Sequence, residues 1–202
     1  MSTFGPTIIA ISGADRVGKK TQTSMLHEAL TRRGHAAKLI EVPWAGSKTH
    51  GLIYHMLENG WAFKFPTLFQ FVQNINKLSC QRYIKKCCSF YDYIILDRWR
   101  LSTIAYGSAT GANKSLTKLM YKKMLSPDVT FILSGHKLTL VAEDDYEKDD
   151  ELQENVRRFY LNSARSYEGN CFVVKIDRKP REAIHEEIVK ELLRRELLTI
   201  VP

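Results

Sequence analysis

The stretch ISGADRVGKKTQ, from Ile11 to Gln22, closes one apolar run and opens a helical pattern. Its glycines at Gly13 and Gly18, followed by Lys19, match the phosphate-loop pattern G-x-x-x-x-G-K-[ST] at every position but the last. Lys20 stands where the pattern has a hydroxyl. In a strand–loop–helix context, backbone N–H groups turn inward and the helix start adds partial positive charge. Lys19 can then bridge outer phosphate oxygens. Gly13, Arg16, Val17, Gly18, Lys19, Lys20 and Thr21 form the expected phosphate cradle.

Working outward, short β-rich runs alternate with longer helical patterns, which predicts an α/β fold with a parallel sheet covered by helices on both faces. The strands are expected at Thr7–Ser12, Ala37–Val42, Tyr91–Asp97, Val129–Ser134 and Cys171–Asp177. Helices are expected at about 19–33, 67–87, 114–124, 148–168 and 180–198. In the last of these Pro180 suits a first helical turn, acidic residues come early and arginines late, and Ile184, Ile188 and Leu192 recur every four residues. No repeat or composition break marks a linker, so residues 1–202 read as one domain.

The composition, 44 % hydrophobic and 26 % charged, belongs to an ordinary globule rather than a disordered chain. A net charge of +8 is spread along the chain with no long Lys/Arg tract, so small phosphorylated ligands explain it as well as nucleic acid does, and a solvated basic surface explains it more cheaply still. The basic segment Lys114–Lys123 reads as a solvated helix face. No apolar run approaches the roughly 20 residues that cross a bilayer, and no export signal is evident. Cys80, Cys87, Cys88 and Cys171 lack C-x-x-C spacing and read as reduced thiols, which places the protein in the cytoplasm.

A second motif, YIILDRW (Tyr93–Trp99), delivers Asp97 and Arg98 to the carboxyl end of a strand, where ligands bind in open α/β sheets. A carboxylate there can hold the water shell of a phosphate-bound Mg²⁺ while the arginine forks onto a phosphate. Together the loop GADRVGKKTQ, the block DRWRLSTIAYGSATG, the strand SPDVTFIL and the segment YEKDDELQENVRRFY resemble the thymidylate kinase family over nearly the whole chain. The resemblance implies a P-loop kinase with a short lid at about 138–150, acting as a homodimer. It implies transfer of the γ-phosphoryl group of ATP to a deoxynucleoside monophosphate, dTMP or a related pyrimidine, with Mg²⁺. By the same resemblance Asp15 accepts a hydrogen bond from the acceptor sugar, Arg16 reaches the moving phosphoryl group, and Arg98 binds the acceptor phosphate. Tyr106 lies beside the deoxyribose and Tyr146, in the lid, closes over the acceptor. The segment Leu140–Glu151 carries one lysine and no arginine, so the catalytic cation is expected from the loop, as Arg16.

Three positions depart from the family pattern. Lys20 replaces the Ser or Thr that ligates Mg²⁺, and an ammonium cannot ligate a metal. Mg²⁺ is then expected to rest on phosphates, water and Asp97, with Lys20 supplying part of the missing charge. Ala45 replaces an acceptor-side arginine, leaving Lys48 as a substitute point charge. In PTLFQFVQNINKL (Pro66–Leu78), Lys77 stands for an arginine that meets the acceptor phosphate and Gln73 for a base-stacking phenylalanine, with Phe69 one turn back. Two rivals stay open: a deoxynucleoside kinase with Glu41 as general base, and a non-catalytic nucleotide-binding homologue in which Lys20 has abolished metal use.

Overall fold

The computed structural model describes residues 5–138, 149–166 and 170–198. Five parallel strands, β1 (Thr7–Gly13), β2 (Ala37–Glu41), β3 (Tyr93–Asp97), β4 (Val129–Ser134) and β5 (Cys171–Lys175), form one sheet in the order β2-β3-β1-β4-β5. Helix α1 (Lys19–Arg32) links β1 to β2. Between β2 and β3 lie α2 (His50–Glu58), α3 (Trp61–Lys64) and the long α4 (Pro66–Cys87). Then come α5 (Arg100–Ala109) and α6 (Lys114–Lys123) before β4, α7 (Asp150–Ser166) before β5, and α8 (Arg181–Arg194) after it.

Side chains alternate across the strands, and each face finds its own helices. Ile9, Ile11 and Ile95 pack with Leu26 and Leu30 of α1 and with Ile184, Ile188 and Leu192 of α8. Ile8, Ala10, Ile94 and Leu96 point the other way, onto Cys80 and Ile84 of α4 and onto Trp99. The fold therefore has helices on both faces of an all-parallel sheet, as the alternating pattern predicts. The four cysteines form no disulfide, and among the described residues no helix is long and apolar enough to cross a membrane.

All five expected strands are present, and the helix boundaries shift for local reasons. The helix expected at about 148–168 starts at Asp150 because the Asp149 carboxylate accepts from Leu152 N at 2.8 Å. The last helix stops at Arg194, short of 198, because Glu196 turns to a φ of 57°. Helices α2, α3 and α5 are additions to the expected set. Most of the expected lid, Tyr146 included, lies outside the described residues.

What matters for the site is the middle of the sheet. Ile11 of β1 pairs with Asp97 of β3, and Arg98 N donates to Ile11 O at 2.9 Å. The loop after β1 and the Asp97–Arg98 pair after β3 thus emerge side by side at the carboxyl edge.

Candidate active site

Gly13 ends β1 with a φ of 151°, and a Cβ there would stand 2.6 Å from the Leu133 carbonyl oxygen of β4. Only glycine lets the loop leave the strand so close to its neighbour. Gly18 then takes a left-handed φ of 82° and starts α1. Between them Arg16 also sits at a left-handed φ of 60°, as does Arg98 at 65°. Such conformations cost about 1–3 kcal/mol each in non-glycine residues and concentrate at functional sites.

These elements open onto a cavity of about 750 Å³. Its wall takes Asp15, Arg16, Gly18, Lys19, Lys20 and Thr21 from the loop and α1, Ala45 from the loop after β2, and Phe69, Gln73 and Lys77 from α4. Asp97, Arg98 and Tyr106 are part of it too. Most of the residues singled out by motif or resemblance are brought together there. Gly13 and Val17 shape the loop from behind, Val17 being buried in the core. Lys48 is placed differently. Ser47 Oγ and Thr49 Oγ1 lie 2.9 Å apart in a turn that buries Ser47 and leaves Lys48 exposed, away from the cavity wall.

The centre of the cluster is Asp15, 7 % exposed. Its Oδ1 accepts from Arg98 Nη2 and lies 3.6 Å from Lys19 Nζ. Its Oδ2 accepts from Tyr106 OH at 2.6 Å and from Gln153 Nε2 at 3.0 Å. Gln153, on α7, also accepts from Asp15 N at 2.7 Å, so one amide grips both the main chain and the side chain of Asp15. Lys19 is anchored a second time by donating to Ala14 O. Tyr160, fully buried, donates to Ser102 Oγ at 2.8 Å and meets the Tyr106 ring edge-on, bracing it from below.

Arg16 is no exposed turn residue: its side chain is 7 % exposed and reaches the α7 start, 3.8 Å from Asp150. Its carbonyl accepts from Leu138 N at 2.8 Å. Lys20 lies differently. Its ammonium stands 3.6 Å from Glu41 Oε1 at the cavity mouth, with both side chains largely exposed. Glu41 is thereby an ion-pair partner at the rim rather than a buried base.

Asp97 is 9 % exposed and its Oδ1 is buried without a hydrogen-bond partner among the described residues. Burial pushes its carboxyl up to about 6 against the pull of Lys19; Glu41 raises it further and Lys20 lowers it. Among the described residues no cluster of three His, Cys, Asp or Glu side chains could hold a metal alone. The orphaned Asp97 oxygen suits a cation that brings most of its own ligands, as a phosphate-bound Mg²⁺ does.

On the far wall Lys77, 4 % exposed, donates to Thr103 Oγ1 at 2.8 Å, and Thr103 in turn donates to Asn74 Oδ1 at 2.8 Å. With only neutral partners, burial pulls the Lys77 ammonium down to about 7. Phe69 is at once a core residue, 2 % exposed, and part of the wall, whereas Phe71 is 40 % exposed. Gln73 is half-buried and faces the same cavity.

A sequence model of thymidylate kinases matches residues 11–188, which takes in the loop, the Asp97–Arg98 pair and α7. The chain belongs to the thymidylate kinase family. The probable thymidylate kinase of Sulfurisphaera tokodaii is 26 % identical over 168 residues, covering 80 % of this chain and 84 % of its own. That of Methanocaldococcus jannaschii is 26 % identical over 188 residues, covering 90 % and 93 %. Among solved structures, the thymidylate kinase of Candida albicans superposes with a TM-score of 0.78 at 21 % identity, covering 95 % of this chain and 93 % of its own. That of Ehrlichia chaffeensis superposes at 0.66 with 23 % identity, covering 94 % and 100 %. Both share the fold. Thymidylate kinases are nucleoside monophosphate kinases, phosphotransferases that use ATP and a divalent metal. Neither the deoxynucleoside kinase nor the non-catalytic reading is favoured by these likenesses.

Several residues that build the site carry no motif of their own. Gln153, behind Asp15, sits in the YEKDDELQENVRRFY segment, yet its partner Asp15 is 138 positions away. Gln70, 5 % exposed, and Trp44, stacked on Tyr83 at 4.9 Å, line the cavity itself. Trp44 is held by Asn76, which accepts from its N–H at 2.7 Å and donates to its carbonyl at 3.1 Å. Nothing local in the sequence marks these contacts.

Proposed function

We propose that this chain transfers the γ-phosphoryl group of ATP to the 5′-phosphate of dTMP or a close pyrimidine relative, yielding the diphosphate. The observation that carries the reading is the convergence of Arg16, Lys19 and Arg98 on one cavity that is also lined by the uncharged acceptor-side residues Phe69, Gln73 and Tyr106. Phosphoryl transfer needs little covalent help from protein. Its barrier falls when two polyanions are aligned and charge on the moving group is compensated. In this reading Lys19 and the loop N–H groups, with Gly13, Val17, Gly18, Lys20 and Thr21, hold the ATP phosphates, and Arg16 stabilises the group in transit. Arg98 binds the acceptor phosphate, Lys77 adds charge on the acceptor side, and Asp15 and Tyr106 receive the deoxyribose.

Mg²⁺, when bound, would screen the phosphates, and Asp97 would hold it through water. Lys20 contributes charge at the mouth in place of a ligating hydroxyl. Gln73 supports amide hydrogen bonding to a base edge where the family pattern has a stacking ring.

The reading includes a homodimer and a cytoplasmic location, the compartment in which free thiols stay reduced. Leu52, Trp61, Phe63, Phe65, Leu68 and Phe71, each at least 40 % exposed on α2, α3 and α4 or the turn between the last two, give a second copy an apolar face to cover. Light scattering of the purified chain reads the oligomeric state directly.

An acceptor panel with ATP and Mg²⁺ tests the activity. Turnover of dTMP, and of some 5-substituted deoxyuridylates, is the expected result. Phosphorylation of thymidine but not dTMP would install the deoxynucleoside kinase reading, and no turnover of any monophosphate would remove the proposal.

A further inference from the structure

Three of the four hydrogen-bonding directions of the Asp15 carboxylate are taken, and the Lys19 ammonium stands against the fourth at ion-pair distance, 3.6 Å. Arg98 and Lys19 face Oδ1, and Tyr106 and Gln153 donate to Oδ2. A sugar hydroxyl can donate to this carboxylate only after one of these partners leaves. Tyr106 and Gln153 are neutral and braced, the first by the edge-on contact with Tyr160 and the second by its bond from Asp15 N. Lys19 is pinned to Ala14 O. Arg98 differs, because its guanidinium has an alternative partner arriving with the acceptor: a phosphate dianion, whose oxygens match the fork better and carry more charge than one carboxylate. Arg98 Nη1 is bonded to Tyr106 OH at 3.1 Å and its side chain is 24 % exposed, so it lies at the cavity surface where a phosphate can reach it.

We propose that the Arg98–Asp15 ion pair is a latch opened only by a phosphorylated acceptor. The acceptor phosphate draws Arg98 off Asp15, and the vacated Oδ1 takes the hydrogen bond of the sugar hydroxyl. Tyr106 and Gln153 keep the carboxylate in place during the exchange, so no loop rearrangement is needed. The latch makes the phosphate and the hydroxyl report to each other: each is bound well only when the other is present. A nucleoside lacking the phosphate meets Asp15 already occupied, which separates dTMP from thymidine beyond the charge of the phosphate itself. This inference rests on the reading of the cavity as a deoxynucleoside monophosphate site.

The test is a cycle of four ligands on the full chain with a non-hydrolysable ATP analogue: dTMP, 3′-deoxy-dTMP, thymidine and 3′-deoxythymidine, with affinities from competition. Removing the hydroxyl is expected to weaken the monophosphate by about tenfold or more, the scale of a hydrogen bond to a charged group. The nucleoside should weaken by less than about twofold, because its hydroxyl bond is never made. Equal losses in the two pairs overturn the latch.

Arg98→Gln supplies the second arm. With the guanidinium gone, Asp15 Oδ1 stands open and the nucleoside pair should acquire a hydroxyl dependence of about tenfold. Nucleosides that fail to compete, or that show no such dependence on the variant, overturn it as well. Failure of dTMP to bind the unaltered protein would instead defeat the functional reading on which the latch stands.

Discussion

Lys77 gives the sharpest quantitative prediction. It is buried among neutral groups on α4 and α5, bonded to Thr103, and its ammonium is held down to about 7. Below that pH the lysine carries its charge; above it, the charge is lost. An acceptor that needs a cation here must therefore draw a proton from solvent when it binds at higher pH, and its affinity should fall about tenfold per pH unit until the lysine of the complex itself titrates. The phosphate monoester has its second pKa at about 6 and is almost wholly ionised by about pH 7.5, so the window from about pH 7.5 to 9 isolates the lysine. Across it the dissociation constant of dTMP should rise by more than about tenfold, with uptake approaching one proton per acceptor seen by calorimetry in buffers of different ionisation heat.

Stability should move in the opposite sense. The unfolded lysine, with its ordinary value of 10.5, binds more protons than the folded one between about 7 and 10.5, so folding should gain free energy as pH rises through that range. Lys77→Arg, always charged, should flatten the binding profile. A dTMP affinity that is level across the window, or an arginine variant that keeps the wild-type slope, refutes the reasoning.

Other perturbations separate the remaining roles. Arg16→Ala should lower kcat by about 10³-fold or more, as removal of a catalytic arginine does, while dTMP affinity in a binding assay changes little. Lys20→Thr, which restores the family hydroxyl and frees Glu41, should lower the Mg²⁺ concentration giving half-maximal rate and weaken metal-free ATP binding measured by fluorescence titration. An unchanged magnesium midpoint would reduce Lys20 to a rim ion pair. Gly13→Ala should destabilise the fold by about 1–3 kcal/mol or shift the loop off β4, since the new methyl meets the Leu133 carbonyl at 2.6 Å. Thermal melting and ATP affinity read the two outcomes.

The sheet was legible because its information is local. Each strand is a short apolar run, four of the five closed by Gly or Asp (Gly13, Asp97, Gly135 and Asp177), and the register of Ile11 with Asp97 follows once the strands are parallel and adjacent. Helix α5 was not legible. Arg100–Ala109 contains Ser, Thr, Ile and Gly, is buried on nearly every side, and shows neither polar face nor strong propensity; its packing makes it a helix. The aromatic-rich α2 and α3 likewise lack a clean period, and each is too short to announce itself. In the cavity, residues belonging to a motif were found and their partners were not. Asp15 could be named from the loop, but that Gln153 holds it depends on a contact across 138 positions that no spacing rule encodes. Lys48 is the complementary case: proximity in sequence to Ala45 does not say whether its side chain joins the wall, and it is an exposed residue outside the lining.

The phosphate loop is tethered at two successive residues to parts of the chain well downstream: Arg16 through its carbonyl to Leu138 N, and Asp15 through its amide to Gln153. Both tethers are hydrogen bonds donated by backbone amides, whose protons exchange with solvent only when those hydrogen bonds open. Deuterium uptake at Leu138 and Asp15 would thus serve as a gauge of how firmly the loop is fastened, legible before any turnover. A compound that loosened either fastening would act on the nucleotide site without resembling a nucleotide.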